Sequence, residues 1–441
     1  MNKLKSNFTN CLENFKESLQ RKTFVSEVPL STSIEHNIPI YDGIMIDEKS
    51  SDNNFKDSLL SEWAKTFKDG AGIILIKRGI LNFDVVNKAT DIFSKIIENE
   101  KNNISGGGDH FAKSGENDRV WNALEKHCIY NPENFCNYYS SNSIHLACEA
   151  WLGPNYQITA QVNRVNPGGN AQKAHRDYHL GFMTTEQAIK YPSHVHSFSP
   201  YLTLQGAVAH CDMPIESGPT KLLPFSQTLP EGYLVFDQPE FQEYFEDNYI
   251  QLPLEKNDLI FFNPAIMHAA GHNISSDIYR MANLLQISSA FGRAMETVNR
   301  LKMSLSIYPF LLEKKLTSKL SEFEIDNIIS ACSEGYSFPT NLDLDPPKNG
   351  IAPITQSQIM KNALNKQKTF VELNNDDSNQ CIFCVVDLHA ITIKQDPKEL
   401  KKNIRETVAT FIASGIDPKK SIVFNQSGVA AHSEGCLLYT S

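Results

Sequence analysis

The 441-residue chain lacks any apolar run approaching the ~20 residues of a membrane-spanning helix, so no helical span is expected. Its first 22 residues lack the apolar core of a signal peptide. Positive charge is in deficit: 41 Lys and Arg face 51 Asp and Glu, a formal net charge of -10. That argues against a nucleic-acid or anionic-membrane partner. The chain also lacks a cysteine framework. Its nine cysteines are scattered, as expected of reduced thiols in a cytoplasm. Cys381-Ile382-Phe383-Cys384 has CxxC spacing, but no second pair follows, so zinc is not expected there. No phosphate-binding loop is present either. Ser105-Gly106-Gly107-Gly108-Asp109-His110 is glycine-rich without a lysine-serine or G-x-G-x-x-G pattern. It reads as a flexible loop, at a substrate mouth or as a plain connector.

What is present begins with helices. Leu4, Phe8, Cys11, Leu12, Phe15 and Leu19 recur at helical spacing in Met1–Lys22, which predicts an amphipathic helix packed on the body. Residues 23–55 are polar and mixed and read as an irregular arm. Leu59–Phe67 reads as a helix, Ala71–Ile76 as a buried strand and Phe83–Glu98 as a helix. Two more helix-like stretches follow, Arg119–Tyr130 and Asn134–Leu152. From Tyr156 the pattern changes to strands: Ile158–Val165, Tyr201–Cys211, Thr220–Leu223, Gly232–Phe236, Ile250–Leu252, Asp258–Phe262 and Tyr279–Ile287. Helices return over Met303–Cys332. Many short strands behind a helical layer predict a mainly β fold with flanking helices and a jelly-roll core, the double-stranded β-helix.

One stretch of this region carries chemistry, Ala174-His175-Arg176-Asp177-Tyr178-His179. On an extended chain His175 and Asp177 share a face and can reach one metal ion. His268 ends an apolar run, Phe261–Met267, and supplies a third ligand. Two histidines and a carboxylate form the facial triad of non-haem Fe(II) oxygenases, with positions open for co-substrate and oxygen. Arg280, on the next strand-like run, could grip a carboxylate with two parallel hydrogen bonds, as a 2-oxoglutarate co-substrate requires. The competing reading of His175 and Asp177 is a buried hydrogen-bonded pair, and of Arg280 a salt bridge within the sheet. The order of His268 and Arg280 after the pair favours the metal. Of the other histidines, His179 is expected to line the cavity mouth or satisfy a local hydrogen bond, His194 and His196 to lie in a solvated loop, His210 to support the ligands from behind or be structural, and His272 to lie off the strand. Gln161, Asn163 and Gln205 are further candidates for hydrogen bonds to the co-substrate.

In this order, H-x-D, then H, then R, the chain resembles the phytanoyl-CoA dioxygenase family of Fe(II)/2-oxoglutarate oxygenases over roughly residues 70–365. Glu216–Gln227 resembles the family's strand and turn, with Pro224-Phe225-Ser226-Gln227 where the family has proline-glycine-serine-histidine. Lys256–Phe262 resembles the entry to the distal histidine, with Asn257 replacing glycine. His268–Asn273 resembles the H-x-x-G-x-N segment leading to the arginine. The resemblance implies a cupin-like barrel in which His175, Asp177 and His268 hold Fe(II), with no catalytic side chains beyond these ligands. It implies 2-oxoglutarate anchored by Arg280, molecular oxygen as oxidant, and release of succinate and carbon dioxide. Related halogenases replace the carboxylate with a small residue. Asp177 therefore predicts hydroxylation of a small-molecule substrate, while no cluster of basic residues suits the phosphates of coenzyme A. A non-catalytic jelly-roll protein binding a metal or ligand is the alternative.

From about Phe370 the chain resembles a fragment of tryptophanyl-tRNA synthetase, a partial α/β unit. Asn379–Thr392, the helix Pro397–Ser414, the Gly415–Pro418 turn and Asn425-Gln426-Ser427-Gly428 carry that likeness, which would put His389 and Gln426 near an amino-acid pocket. The nucleotide-binding strand and loop expected before the fragment, and the catalytic lysine loop expected after it, are not seen. The expected organisation is an arm over 1–55, the oxygenase over 56–369, the synthetase-like fragment over 370–435 as a chimera or artefact, and an adaptor-derived tail over 436–441.

Overall fold

The computed structural model describes residues 11–102, 115–177, 183–337, 352–374, 382–385, 396–413, 416 and 422–429. The glycine loop at 105–110, His179, Cys381, His389 and the tail 436–441 lie outside the described residues. The chain divides into two compact units, Met1–Phe310 with Lys319–Ile359, and Leu311–Ser318 with Met360–Ser441.

The first unit is built on strands β1 (Ser33–Glu35), β2 (Ile38–Asp42), β3 (Ile73–Lys77), β4 (Asn117–Val120), β5 (Gln157–Val165), β6 (Thr203–Ala209), β7 (Lys221–Leu223), β8 (Leu259–Phe262), β9 (Met267–Ala269) and β10 (Arg280–Ser288). Eight of them form one sheet in the order β1-β2-β3-β8-β6-β10-β5-β4, parallel only between β2 and β3. A smaller sheet pairs β7 with β9, and bridges from Ile250 to Leu222 and from His175 to His268 extend it on both sides. Between the sheets lies one core, with Ile38, Ile73, Ala207, Leu222, Ile260 and Phe262 among its members. Outside the small sheet, Phe15 of the helix Cys11–Ser18 packs with Leu223, Phe241, Phe245 and Met267. Complete burial of Phe15 contributes roughly 1.5–3 kcal/mol. The N-terminal helix is thus held to the body by its apolar stripe, as its spacing predicted, while Leu4 and Phe8 lie outside the described residues.

Several expectations about elements are corrected. Residues 33–42, read as irregular, supply two strands. Ile38, Ile40 and Tyr41 are buried, and the Tyr41 hydroxyl donates to Glu62 at 2.8 Å while Glu62 also accepts the Leu30 N–H at 3.2 Å. The apolar run is too short to stand out, and the sheet edge decides its conformation. Arg119 and Val120, read as helical, complete β4. The long stretch Asn134–Leu152 is two helices, Pro132–Tyr139 and Asn142–Leu152, and the Ser141 hydroxyl caps the second. Gly232–Phe236, read as a strand, is a helical turn over Gly232–Val235. Its apolar residues satisfy either period over so short a span.

Helices cover the sheet face that carries Asn283 and Leu285, and a polar network is buried there. The His210 ring meets Thr90 Oγ1 and the Tyr138 hydroxyl, both at 2.9 Å, and Asn283 donates to the Tyr138 hydroxyl at 3.2 Å. His127 meets Asn134 Oδ1 at 2.8 Å. His145 donates to the Tyr139 carbonyl at 2.8 Å. Burial pushes His127 and His145 down to about 4 and His210 to about 3, so all three are neutral at pH 7. In the unfolded chain they protonate near pH 6.5. Their contribution to stability is complete above pH 6.5 and is lost as pH falls toward 4, by up to about 1.4 kcal/mol per histidine per pH unit. Burial raises the carboxyls of Asp47, Glu62 and Glu296, which opposes this trend near pH 4–5. Urea unfolding at pH 7, 6 and 5 is expected to show a falling midpoint, and a flat profile would contradict the buried-neutral assignment.

In the second unit β11 (Ile382–Val385) pairs in parallel with β12 (Ile422–Asn425), and the helix Pro397–Ala413 lies between them in sequence. A parallel pair needs such a crossover.

Candidate metal centre and cavity

Strand β8 delivers the chain to a tight turn at Asn263-Pro264-Ala265-Ile266. Asn263 Oδ1 accepts the Ala265 N–H at 2.9 Å, and its Nδ2 donates to the Phe67 carbonyl at 3.1 Å. The turn places His268 in β9, between β7 and the segment carrying His175. His175 and His268 exchange two backbone hydrogen bonds of 2.9 Å each. Residues so paired across antiparallel strands project to the same side, and their ring centroids are 4.5 Å apart. Asp177, two residues on, joins them, its N–H donating to the Pro264 carbonyl at 3.1 Å.

The three side chains converge. His175 Nε2 lies 3.8 Å from Asp177 Oδ1, and His268 Nε2 lies 3.9 Å from Asp177 Oδ2. One ligand atom from each fits within a 4.8 Å cluster. These separations are too long for hydrogen bonds. The outer ring nitrogens explain the orientation. His175 Nδ1 is 2.9 Å from the Lys173 carbonyl and His268 Nδ1 is 2.9 Å from the Ile266 carbonyl. A carbonyl only accepts, so each Nδ1 carries the proton and each Nε2 turns a lone pair inward. Burial, then the neighbouring His175, hold the His268 imidazole down to about 4, in its ligating neutral form. The competing picture of a hydrogen-bonded His–Asp pair does not match this geometry.

The ligand segment is held from outside the sheet. The buried Arg176 guanidinium donates to the carbonyls of Ser226 and, at 3.4 Å, Leu229. The Tyr233 hydroxyl donates to the Asp177 carbonyl at 3.0 Å, and Gln242 Nε2 to the Ala174 carbonyl at 2.9 Å. A Cβ at Gly232 would meet the Arg176 guanidinium at 1.6 Å, so a larger residue there would have to displace that side chain. None of these supports was identified from sequence. The available signal was an arginine between two ligands, where a solvated charge would disturb them.

The triad opens onto a cavity of about 1100 Å³, which Arg280, Gln161, Asn163 and Gln205 also line. The sheet register places them. Arg280 pairs with Val165, Ala282 with Asn163 and Ala209, and Leu284 with Gln161 and Ala207, so alternate residues of three strands face inward. Ala207, Ala209 and Ala282 leave the space open. Arg280 Nη1 donates to the carbonyls of Ser217 at 3.0 Å and Gly271 at 3.3 Å. Its guanidinium is buried, which lowers its pKa to about 10 and leaves it charged at neutral pH. No ion pair to Arg280 occurs among the described residues, so the salt-bridge expectation for it is not met. Gln161 Oε1 accepts from Arg119 at 2.8 Å. Asn163 Oδ1 and Gln205 Oε1 are buried without a partner.

The other histidines of the described residues stay apart from this cluster. His210 belongs to the buried network, as expected, and His272 is exposed. His194 and His196, expected in a solvated loop, lie on the short helix Ser193–Phe198, with His196 buried.

Residues 75–282 match the family model of phytanoyl-CoA dioxygenase (PhyH). Residues 364–439 match that of class I tRNA synthetases (W and Y). Curated relatives of the latter segment include the tryptophan–tRNA ligase of Brucella melitensis, 49% identical over 86 residues, which are 20% of this chain and 23% of that protein. The enzyme of Caldanaerobacter subterraneus is 53% identical over 86 residues, 20% and 25% of the two chains. The chain thus spans about a quarter of the length of these ligases. Similar solved structures include two non-haem alpha-ketoglutarate-dependent enzymes of nogalamycin biosynthesis. The epimerase SnoN is 17% identical with a TM-score of 0.39, covering 54% of this chain and 82% of that chain. The carbocyclase SnoK is 18% identical with a TM-score of 0.41, covering 60% and 92%. Both superpositions are loose, and nothing about this chain's substrate follows from them. The chain carries a phytanoyl-CoA dioxygenase (PhyH) domain over residues 75–282 and a class I tRNA synthetase segment over residues 364–439.

Proposed function

We propose that the first unit is an Fe(II)- and 2-oxoglutarate-dependent dioxygenase that hydroxylates a small molecule. The observation that carries this reading is the pair of inward Nε2 lone pairs facing the Asp177 carboxylate, with both Nδ1 protons donated to backbone carbonyls. Two imidazoles and one carboxylate on one side of a gap suit iron and leave the cavity side open. When bound, the iron supplies the redox chemistry by which 2-oxoglutarate and oxygen yield succinate, carbon dioxide and one oxygen atom for the substrate.

The chain's own residues do the rest. His175, Asp177 and His268 would hold the metal, and Arg280 would bind the far carboxylate of 2-oxoglutarate. Asn163 and Gln205, whose amides face the cavity with an unpartnered oxygen, are proposed as further co-substrate contacts. Turning either amide over would present an N–H to the cavity instead. Gln161 is proposed in the same role, although its carbonyl already receives Arg119. Asp177 fills the position that a halide would need, which favours hydroxylation. The large and small sheets, joined by the Ile250 and His175 bridges, are read as the two walls of a jelly roll. The oxygenase, expected over 56–369, is proposed to include residues 33–42 as well, because β1 and β2 stand in its sheet. Among the described residues no helix is long and apolar enough to cross a membrane.

Iron-loaded full-length protein, supplied with 2-oxoglutarate, oxygen and pooled small metabolites, is expected to form succinate. Iron binding without succinate from any pool would favour a non-catalytic binding protein instead.

A further inference from the structure

The metal and Arg280 account for one part of the cavity. Gln286 lies six positions beyond Arg280 on β10, roughly 20 Å along the strand. Around that end the lining is Trp121, Gln161, Gln286, Met295 and Glu296. Glu296 belongs to no strand or helix. It sits in the connection after β10, and its Oε1 accepts the Asn122 N–H at 2.8 Å. Its Oε2 is buried and meets no donor at good hydrogen-bond geometry among the described residues, with the Gln161 side chain beside the carboxylate. A buried carboxylate oxygen without a donor is costly, which marks it as an acceptor for a ligand.

The surroundings narrow the ligand. Arg119 and Lys126 lie close enough to pull the Glu296 carboxyl down against the upward effect of burial. Their positive field disfavours a second cation at Glu296. Of the cavity's remaining acidic groups Asp237 is paired with Lys173, while Glu116 and Glu186 disfavour phosphates. Side-chain amides both donate and accept, as hydroxyl groups do. Gln161, Gln205 and Gln286 stand on adjacent strands, with Gln205 donating to Gln286 at 3.4 Å.

We infer that Glu296 is the specificity residue of the primary-substrate subsite, where it accepts a hydrogen bond from a hydroxyl group of a neutral, polyhydroxylated small molecule. This rests on the oxygenase reading for its catalytic meaning, but the binding itself needs no metal. The ligand's hydroxyl meets Oε2, and Gln286, which no other role claims, serves a neighbouring hydroxyl.

The test is ligand binding to the metal-free full chain by saturation-transfer NMR. Methyl glucoside and myo-inositol serve as neutral polyols, phenethylamine as a cation and palmitoyl-coenzyme A as an anionic thioester. The polyols are expected to bind. Glu296→Ala is expected to weaken them about tenfold or more, the loss of one hydrogen bond to a charged group. Glu296→Gln keeps the fold contact to Asn122 and an acceptor oxygen, and is expected to stay within about threefold of the parent. Preferential binding of the amine or the thioester, no polyol binding, or equal polyol binding by Glu296→Ala would each overturn the inference. Anaerobic iron and 2-oxoglutarate titrations of the same three proteins separate the two readings. Normal titrations without polyol binding sink only this one, and failure of iron to bind the parent sinks the oxygenase.

Discussion

Arg280→Lys is expected to weaken 2-oxoglutarate binding by about tenfold or more while leaving iron loading unchanged. The guanidinium is buried, charged, without a carboxylate among the described residues, and anchored through Nη1 to the Ser217 and Gly271 carbonyls. Burying such a charge is costly unless an anion meets it. Lysine keeps the charge but loses the planar fork, so it cannot hold both carbonyls and a two-point carboxylate contact. One lost charge-assisted bond is worth about 1.5–3 kcal/mol, which sets the expected factor. Anaerobic titration of 2-oxoglutarate into the Fe(II) protein, followed by the metal-to-ligand absorption band, measures it. Identical curves for the two proteins would remove Arg280 as the anchor. A matching loss of iron would instead show that the substitution disturbs the turn at Gly271.

The clustering of His175, Asp177 and His268 and the central strands were legible in the sequence because both depend on local pattern. An H-x-D on extended chain forces two side chains to one face, and apolar runs such as Leu259–Phe262 are buried on both sides. Elements decided by tertiary contacts were less readable. The run Ile38–Asp42 becomes a strand because β3 offers an edge, and Gly232–Val235 becomes helical where Arg176 passes against Gly232. Two of the departures from the family pattern, those that replace glycine, share a backbone conformation. Phe225 and Asn257 both sit at positive φ, 67° and 77°, where glycine is the unstrained choice. Asparagine tolerates that region, and Asn257 adds a hydrogen bond from Nδ2 to the Ile80 carbonyl at 2.6 Å. Phe225 is a bulkier case, offset by its burial and by its N–H bond to the Ala71 carbonyl at 3.0 Å. Sequence showed the replacements but not that the backbone kept the glycine conformation. Glu296 was invisible for a different reason. It lies in an irregular connection, and only the fold brings it beside Gln161.

The largest effect is expected at the triad. Alanine at His175, Asp177 or His268 should each abolish iron loading at stoichiometric Fe(II) and with it all succinate formation. Each side chain supplies one corner of a single face, and the two that remain cannot fix the ion or its open positions. The fold should survive, because the backbone bonds between His175 and His268 do not involve the side chains. Asp177→Ala removes the sole carboxylate of the cluster, yet the Tyr233 hydroxyl still meets the Asp177 carbonyl, so the segment stays in place. His268→Ala opens space beside Phe262, whose ring centroid is 4.9 Å from the imidazole, and a modest loss of stability is expected there alone. His272→Ala is the control. That side chain is exposed, and iron loading should match the parent. Bound iron after anaerobic loading, read beside uncoupled 2-oxoglutarate turnover, decides the matter. Iron retained by His268→Ala but lost by His272→Ala would move the third ligand four residues along the chain. Iron and turnover unchanged in all three triad variants would mean that the cluster is structural and the cavity serves binding without oxidation.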